Sequence, residues 1–286
     1  MIPALQASPL WLMVVVAIVG LCVGSFLNVV IHRLPRMMEA QWRAECAAIE
    51  GREAPAAERY NLWTPASHCP SCGASIKAWH NVPVAGWLAL RGRCAACRAP
   101  ISARYPLVEL LGGLLAVLAA WRFGYSAALA GALVYCWALI ALTFIDFDTQ
   151  LLPDDITLPL LWLGLALNAF GLYTDLRSAV LGAICGYLVL WAVYWLFRLI
   201  AGKEGMGYGD FKLLAAIGAW TGWQVLPFVV VMSAGLGAVI GSIALWLARK
   251  GRDTRIPFGP YLALGGIAGL VWGREAVVAW LGRFPA

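Results

Sequence analysis

Long apolar stretches alternate with short polar loops along most of the chain, and the exception is one polar segment near the N-terminus. Each apolar stretch predicts a helix, and the stretches are 10–31, 105–122, 126–145, 156–173, 178–199, 211–221, 224–248 and 257–282. Most of them approach the roughly 20 residues that cross a bilayer, whereas 211–221 is short and suits a half-span or one member of a tilted pair. The pattern predicts an all-α polytopic membrane protein with about eight transmembrane helices.

The composition agrees with this class. Hydrophobic residues make up 62% of the chain and charged residues only 13%, whereas a soluble domain carries about 25% charged residues. The 15 Trp and 30 Gly also fit, since Trp collects at membrane interfaces and Gly lets membrane helices approach closely. We expect the first span to be no cleaved signal peptide, because its apolar run is long and residues 1–31 contain no Lys or Arg.

The basic residues are concentrated in particular loops. Ten of the 21 Lys and Arg residues lie in 32–104, and the loops at 203–212 and 249–255 are also basic. The loops near Arg122, Arg177 and Arg283 carry few. The positive-inside rule therefore predicts an N-terminus outside and the 32–104 loop in the cytoplasm. Topology accounts for the net charge of +6, so the lipid bilayer is the expected environment and nothing indicates a nucleic-acid partner.

Residues 32–104 are the stretch with soluble composition, and they predict a small cytoplasmic zinc-binding domain between the first transmembrane helix (1–31) and a transmembrane core (105–286). We expect 36–59 to form a short amphipathic helix at the membrane surface. Two Cys-x-x-Cys pairs follow, Cys69 with Cys72 and Cys94 with Cys97, with 21 residues between them. Two such knuckles can place four thiolates tetrahedrally around Zn²⁺ in a closed, structural site.

The cysteines and the nearby histidines allow other interpretations. The pairs could instead form disulfides or remain free thiols, but cytoplasmic thiols stay reduced and paired knuckles rarely arise by chance. His68 or His80 could replace one ligand, although four cysteines already complete the site. Because Cys22, Cys136 and Cys185 lie in apolar spans, we expect them to be inert packing residues. We expect Cys46 to be a surface thiol.

Two aspartates lie where an apolar span meets a polar loop on the predicted cytoplasmic side. These are Asp146, at the end of the third span, and Asp210, at the start of the sixth. Carboxylates at membrane depth are costly and commonly functional. Two that converge can form an acid/base pair in which one member is ionised and the other protonated. Asp146 and Asp210 are therefore the candidate catalytic residues.

The remaining aspartates have structural explanations. Asp154 and Asp155 follow Pro153, where acidic residues cap a helix and offset its dipole. Asp148 would point to a different helix face from Asp146, and we expect a capping or loop role for it. Asp175 and Asp253 lie in connecting loops, so we expect their side chains to be solvated.

The loop before Asp210 is dense in glycine, which permits close approach of the backbone. A dinucleotide-binding phosphate loop is the obvious rival for a glycine-rich stretch. It lacks a preceding strand and the required spacing here.

Taken together, these motifs resemble those of the type IV prepilin leader peptidase/N-methyltransferases, a family of GxGD membrane aspartic proteases. The resemblance runs nearly end to end and is carried by both cysteine knuckles and by the stretches 24–35, 104–109, 145–148, 151–154, 205–212 and 256–261.

The resemblance implies an enzyme of the bacterial inner membrane with two activities. It implies removal of the short basic leader of prepilins and pseudopilins at the cytoplasmic face, with Asp146 and Asp210 as catalytic residues in an aspartic protease core. It also implies methylation of the new N-terminal amine from S-adenosylmethionine, with Gly92 at a position linked to methyl transfer. The family pattern, rather than spacing, selects Asp146 over Asp148.

Two alternatives remain at this point. A transporter or channel could use the aspartates to relay protons, with a zinc domain that docks partners; it predicts acids near the bilayer midplane and repeated halves. The second alternative is a peptidase that has lost its methyltransferase activity, although the intact cysteine knuckles disfavour it.

Overall fold

The computed structural model describes residues 8–52, 60–202, 206–248 and 257–281, so Asp253, Gly205 and Ile256 lie outside the described residues. Eight long helices occupy this part of the chain, and one short helix, α2 (Ala85–Ala89), lies in the polar segment. The long helices are α1 (Pro9–Ile49), α3 (Arg104–Phe123), α4 (Ala127–Thr149), α5 (Asp154–Ala169), α6 (Leu176–Ala201), α7 (Tyr208–Thr221), α8 (Leu226–Ala248) and α9 (Gly259–Leu281). The described residues form no strand, only two isolated β-bridges.

Six of these helices are long and apolar enough to cross a membrane: α1, α3, α4, α6, α8 and α9. The predicted all-α membrane fold is therefore confirmed. The other two long helices, α5 and α7, have 16 and 14 residues, fewer than the roughly 20 that a span needs. They correspond to the predicted spans 156–173 and 211–221.

The first helix is longer than its apolar stretch. It continues without interruption through Pro35 to Ile49, so the prediction of a separate short helix at 36–59 is wrong for the residues up to Ile49. Residues 53–59 lie outside the described part of the chain. The apolar span and the more polar residues that follow it, up to Ile49, therefore belong to one continuous helix.

The chain separates into two compact units, Met1–Tyr125 and Ser126–Ala286. In the first unit α1 packs against α3 through glycines. A side chain at Gly20 would meet Gly112 O at 2.5 Å, and one at Gly24 would meet Glu109 Cα at 2.6 Å. Asn28 then donates a hydrogen bond of 3.1 Å to Tyr105 O. Small residues at such contacts are how membrane helices achieve close packing. The boundaries predicted at 31/32 and 104/105 stay predictions.

In the second unit the short helix α7 is the core element, with every residue from Leu213 to Thr221 buried. A side chain at Gly186 on α6 would meet Leu214 O of α7 at 2.5 Å. On α5, Asn168 donates a hydrogen bond of 2.8 Å to Ala219 O. Because neighbouring helices cover α7, it fills the middle of the unit without needing the length of a full span.

Candidate active site

Asp146 lies in the last turn of α4 and is 4% exposed. The helix continues to Thr149, and Asp148 is exposed two residues further on. Residues two apart on a helix do not share a face. As the sequence predicts, the two aspartates therefore face different surroundings, and it is Asp146 that points into the protein.

Asp210 lies in the first turn of α7 and is 7% exposed. Gly207 is the residue that precedes the helix, and its carbonyl accepts a hydrogen bond of 3.3 Å from Asp210 N. The Oδ1 atom of Asp210 is buried and has no hydrogen-bond partner among the described residues. A helix N-terminus favours negative charge nearby, whereas an unpaired buried oxygen disfavours it.

The fold brings the two carboxyl groups together, close enough that Asp146 acts on Asp210 electrostatically. Leu152, in the loop after α4, contacts the backbone on both sides of the pair. A Cβ at Gly209 would lie 2.8 Å from Leu152 Cβ, and one at Gly259 would lie 3.2 Å from Leu152 Cδ2. The end of α4 and the beginnings of α7 and α9 therefore converge on a single buried site.

The sequence interpretation gave Gly259 no role at this site. Its backbone N–H donates a hydrogen bond of 2.9 Å to Asp146 Oδ2. The available signal was that Gly259 and Leu152 each fall within one of the stretches that carry the family resemblance. Neither residue has a side chain with its own chemistry, so residue type alone did not identify them.

The other acids behave mostly as predicted. Asp154 and Asp155 lie in the first turn of α5, where they offset the helix dipole as predicted, but the N-cap is Pro153 and no side chain caps the helix. Asp154 also pairs with Lys212. Asp175 is the N-cap of α6 and accepts a hydrogen bond of 2.9 Å from Ser178 N. The side chain and the backbone N–H of Ser178 lower the pKa of Asp175 below its usual value. Its role is therefore capping, more specific than the solvated loop position expected.

The structure also brings Cys69, Cys72, Cys94 and Cys97 together, with their Sγ atoms all within 4.8 Å of one another. Cys69 Sγ lies 3.8 Å from Cys97 Sγ, which is about the separation of two thiolates bound to Zn²⁺ at roughly 2.3 Å each in a tetrahedron. All eight cysteines are free, so the disulfide alternative is not realised. This donor set fits zinc without His68 or His80.

The two knuckles have the same backbone geometry. Cys69 N donates to Ala74 O at 2.9 Å, and Cys94 N donates to Ala99 O at 2.8 Å. A bridge closes each turn, pairing residue 68 with 75 and residue 93 with 100. The residue four positions after the first cysteine has positive φ in both, Gly73 (71°) and Arg98 (63°). The two knuckles are therefore copies of the same turn, and each presents two cysteine ligands.

The backbone also prepares the thiols for a metal. N–H groups of Ser71 and Cys72 lower the pKa of Cys69 to about 6. The pKa of Cys94 is lowered by the N–H groups of Cys97 and Ala96. For Cys72 a backbone hydrogen bond from Ala74 acts in the same direction, but the neighbouring thiols outweigh it and raise the pKa to about 11. Four adjacent thiolates repel one another unless a cation neutralises them.

Gly92 precedes the second knuckle and has a φ of 65°. A Cβ at this position would lie 2.8 Å from Cζ2 of Trp87. The Trp87 indole N–H donates to Ile101 O at 3.1 Å, and Ile101 N in turn donates to Gly92 O at 2.7 Å. The overlying ring therefore leaves no room for a side chain here, and the positive φ also favours glycine.

Comparison with known proteins adds an independent line of evidence. Residues 18–123 match the family model of the bacterial peptidase A24 N-terminal domain. Residues 133–242 match the type IV leader peptidase family. No solved structure matches the chain significantly.

Curated relatives match over nearly the whole length. A prepilin leader peptidase/N-methyltransferase of Stutzerimonas stutzeri is 52% identical over 278 residues, which cover 97% of this chain and 96% of that protein. The protein of the same name from Pseudomonas aeruginosa is 51% identical with the same coverage. Another, from Burkholderia pseudomallei, is 53% identical over 276 residues, covering 94% of this chain and 89% of that protein.

Proposed function

The chain belongs to the type IV leader peptidase family, and we propose that Asp146 and Asp210 are the catalytic pair with which it removes the leader peptides of prepilins and pseudopilins. The observation that carries the proposal is the convergence of these two buried carboxyl groups from the end of α4 and the start of α7. The transporter alternative has no such support, since the family match is to a peptidase.

The chemistry follows from two carboxyls in different protonation states. The ionised member takes a proton from a water molecule, whose oxygen attacks the carbonyl carbon of the scissile peptide bond. The protonated member donates its proton to the carbonyl oxygen. When the tetrahedral intermediate collapses, the C–N bond breaks and the leaving amine takes up the proton that the first carboxyl received from water. The second carboxyl recovers its proton from the hydroxyl group that becomes the new carbonyl oxygen. Burial of both groups keeps bulk water from screening these charges.

We propose that the four knuckle cysteines hold one structural Zn²⁺, because their sulfur separations suit a closed tetrahedral site and the lowered pKa values of Cys69 and Cys94 favour thiolate ligands. Such a metal supplies folding free energy to a polar segment that has little apolar core of its own. No position is left open on a metal with four thiolate ligands, so its role is to shape the domain.

We propose that methyl transfer uses S-adenosylmethionine and depends on the domain at 32–104. The methyl donor, when bound, supplies an electrophilic methyl group on a sulfonium. The amine that accepts it must be neutral and is freed only by cleavage, so hydrolysis comes first. Gly92, beside the zinc turn and beneath Trp87, is the residue of this domain that we connect with the second activity.

The protein is a multi-pass membrane protein. We propose that it lies in the bacterial inner membrane with a periplasmic N-terminus and with the zinc domain and both aspartates on the cytoplasmic side, since the basic loops predict this orientation. A prepilin carries a basic leader before an apolar helix that sits in the bilayer. Its scissile bond would then meet the aspartates at the membrane surface.

Mass spectrometry of a prepilin expressed together with the protein tests these proposals. Loss of the leader and the addition of one methyl group are separate mass changes, so each activity is reported independently. An unprocessed prepilin in the presence of folded protein would contradict the function proposed here. Cleavage without methylation would instead indicate a peptidase that lacks the second activity.

A further inference from the structure

The turn that begins α9 contains one hydrogen-bond donor aimed at the catalytic pair. At the start of any helix the first backbone N–H groups have no partner within the helix. Here Tyr261 N and Leu262 N both donate to Phe258 O, at 3.1 and 3.2 Å, and Pro260 has no N–H. Gly259 therefore supplies the remaining donor, and its partner is Asp146 Oδ2 at 2.9 Å.

This contact places Asp146 at the N-terminus of α9, although it belongs to the C-terminal turn of α4. Without that neighbour a carboxylate would be disfavoured at the end of α4, where the helix dipole is negative. The N-terminus of α9 supplies the opposite end of a dipole and a direct donor. A hydrogen bond from N–H stabilises the ionised carboxylate. Asp210 also lies at a helix N-terminus and its carboxyl group receives a backbone hydrogen bond from Gly207. It differs from Asp146 in that its Oδ1 is buried with no partner among the described residues.

Gly259 also leaves the space that Asp146 occupies. A Cβ at this position would lie 2.6 Å from Asp146 Oδ2 and 3.2 Å from Asp146 Cγ. The φ of Gly259 lies outside the left-handed region, so an alanine could adopt the same backbone conformation. The requirement for glycine at 259 therefore comes from the carboxylate and not from strain in the turn.

Given the proposed function, we infer that Gly259 is a positioning residue of the peptidase, whose N–H and missing side chain together hold Asp146 in place as the ionised member that activates water. Asp210 is then the member that carries the proton to the scissile carbonyl. Gly259 acts through Asp146 and touches no reacting atom itself.

The test is the kinetics of prepilin cleavage by purified Gly259→Ala protein, with methylation of an already cleaved pilin as the measure of folding. We expect kcat to fall about 100-fold, since small displacements of a catalytic group cost that much, while KM stays within about twofold because the substrate contacts are unchanged. Methylation should persist. Gly235→Ala is the matched control, because a Cβ there meets nothing within 4 Å in the same unit.

A second substitution separates the carboxylate from its apolar neighbour. Leu152→Ala added to Gly259→Ala opens room beside residue 259 but leaves the collision with Asp146, so cleavage should stay low. Restoration by Leu152→Ala would overturn the inference, because the defect would then be one of packing. A parent-like kcat in Gly259→Ala, or a rise in KM alone, would also overturn it.

Thermal unfolding keeps the inference testable if Gly259→Ala folds poorly. In an Asp146→Ala background the colliding carboxylate is gone, so Gly259→Ala should lower Tm less than it does in the parent. An equal loss in both backgrounds would contradict the inference. The catalytic assignment itself is tested by Asp146→Asn: if that variant cleaves normally, the proposed pair is wrong, whereas an inactive Asp146→Asn with a parent-like Gly259→Ala refutes only the role of Gly259.

Discussion

Lys212 Nζ donates hydrogen bonds to both carboxylate oxygens of Asp154, at 2.8 and 2.7 Å. This ion pair joins the beginning of α5 to the beginning of α7. Lys212 lies two residues after Asp210 in the chain. Both side chains remain partly exposed, Lys212 at 33% and Asp154 at 50%. The ion pair is therefore partly open to solvent, unlike the buried carboxyl groups of Asp146 and Asp210.

We expect Asp154→Asn to lower the stability of the protein only slightly, by less than about 1 kcal/mol, because exposed ion pairs contribute little. Cleavage should fall by no more than about fivefold, the factor that corresponds to such an energy. Asp155→Asn, in the same helical turn, is the control for loss of negative charge alone. Thermal unfolding in detergent and a cleavage assay measure both effects. Complete loss of cleavage in Asp154→Asn would show that Asp154 belongs to the catalytic machinery.

The aspartate pair itself gives the strongest expected effect. Asp146→Asn and Asp210→Asn should each reduce leader removal by about 100-fold or more, because an amide cannot take up or donate the proton that the reaction needs. Each protein should still fold in the membrane and methylate a pilin that is already cleaved. Asp148→Asn is the matched control, and its exposed side chain should make the effect mild.

Normal cleavage by Asp146→Asn together with inactivity of Asp148→Asn would show that the first catalytic aspartate was assigned incorrectly. Loss of methylation in both Asp146→Asn and Asp210→Asn would point instead to a folding defect. The comparison with cleaved pilin is therefore needed before any loss of leader removal is interpreted.

The sequence predicted the helices and the position of both aspartates because these depend on local patterns. A long apolar stretch has few alternatives to a membrane helix. A carboxylate at the end of such a helix costs free energy whatever the rest of the fold, so it is recognisable as a functional candidate. The contact between Gly259 and Asp146 could not be predicted in this way, since it joins residues 113 positions apart. It depends on how α4 and α9 pack, which no local pattern records.

Two helix boundaries also escaped the sequence patterns. The end of the apolar stretch at residue 31 and the polar composition after it indicated a separate helix at 36–59, yet α1 continues to Ile49. The predicted span 156–173 ends earlier, at Ala169, and the Asn168 side chain explains why: its Oδ1 accepts hydrogen bonds of 3.0 and 3.1 Å from Tyr173 N and Thr174 N. A side-chain cap of this kind replaces further helical bonds.

The zinc proposal predicts one bound metal ion per chain. Elemental analysis of the purified protein should find zinc in equal molar amount, and Cys69→Ser should remove most of it, because the oxygen ligand is weaker and the remaining three thiols leave the site open. The domain should then become sensitive to proteolysis, since structural zinc contributes folding free energy on the order of 10 kcal/mol. Cys46→Ser is the control, an exposed cysteine outside the cluster. Protein with reduced knuckles and no zinc would contradict the proposal.

The last prediction is that the two activities separate along the chain at Gly92. A bulky residue there would collide with Trp87 and strain a turn that has a φ of 65°. If the surface around Gly92 serves methyl transfer, Gly92→Leu should yield pilin that is cleaved but unmethylated, whereas Asp210→Asn should yield neither product from intact prepilin.

The competing explanation is that Gly92 only shapes the zinc turn. Gly73 allows the two to be distinguished, because it has a similar φ of 71° in the first knuckle but open space around it. Gly73→Leu should strain its turn without disturbing Trp87. Cleavage, methylation and zinc content are then measured on both variants. Selective loss of methylation in Gly92→Leu, with zinc retained, supports a role in methyl transfer. Parallel loss of zinc and both activities in the two variants would mean that glycine is needed at both positions only for the fold of the metal-binding turns.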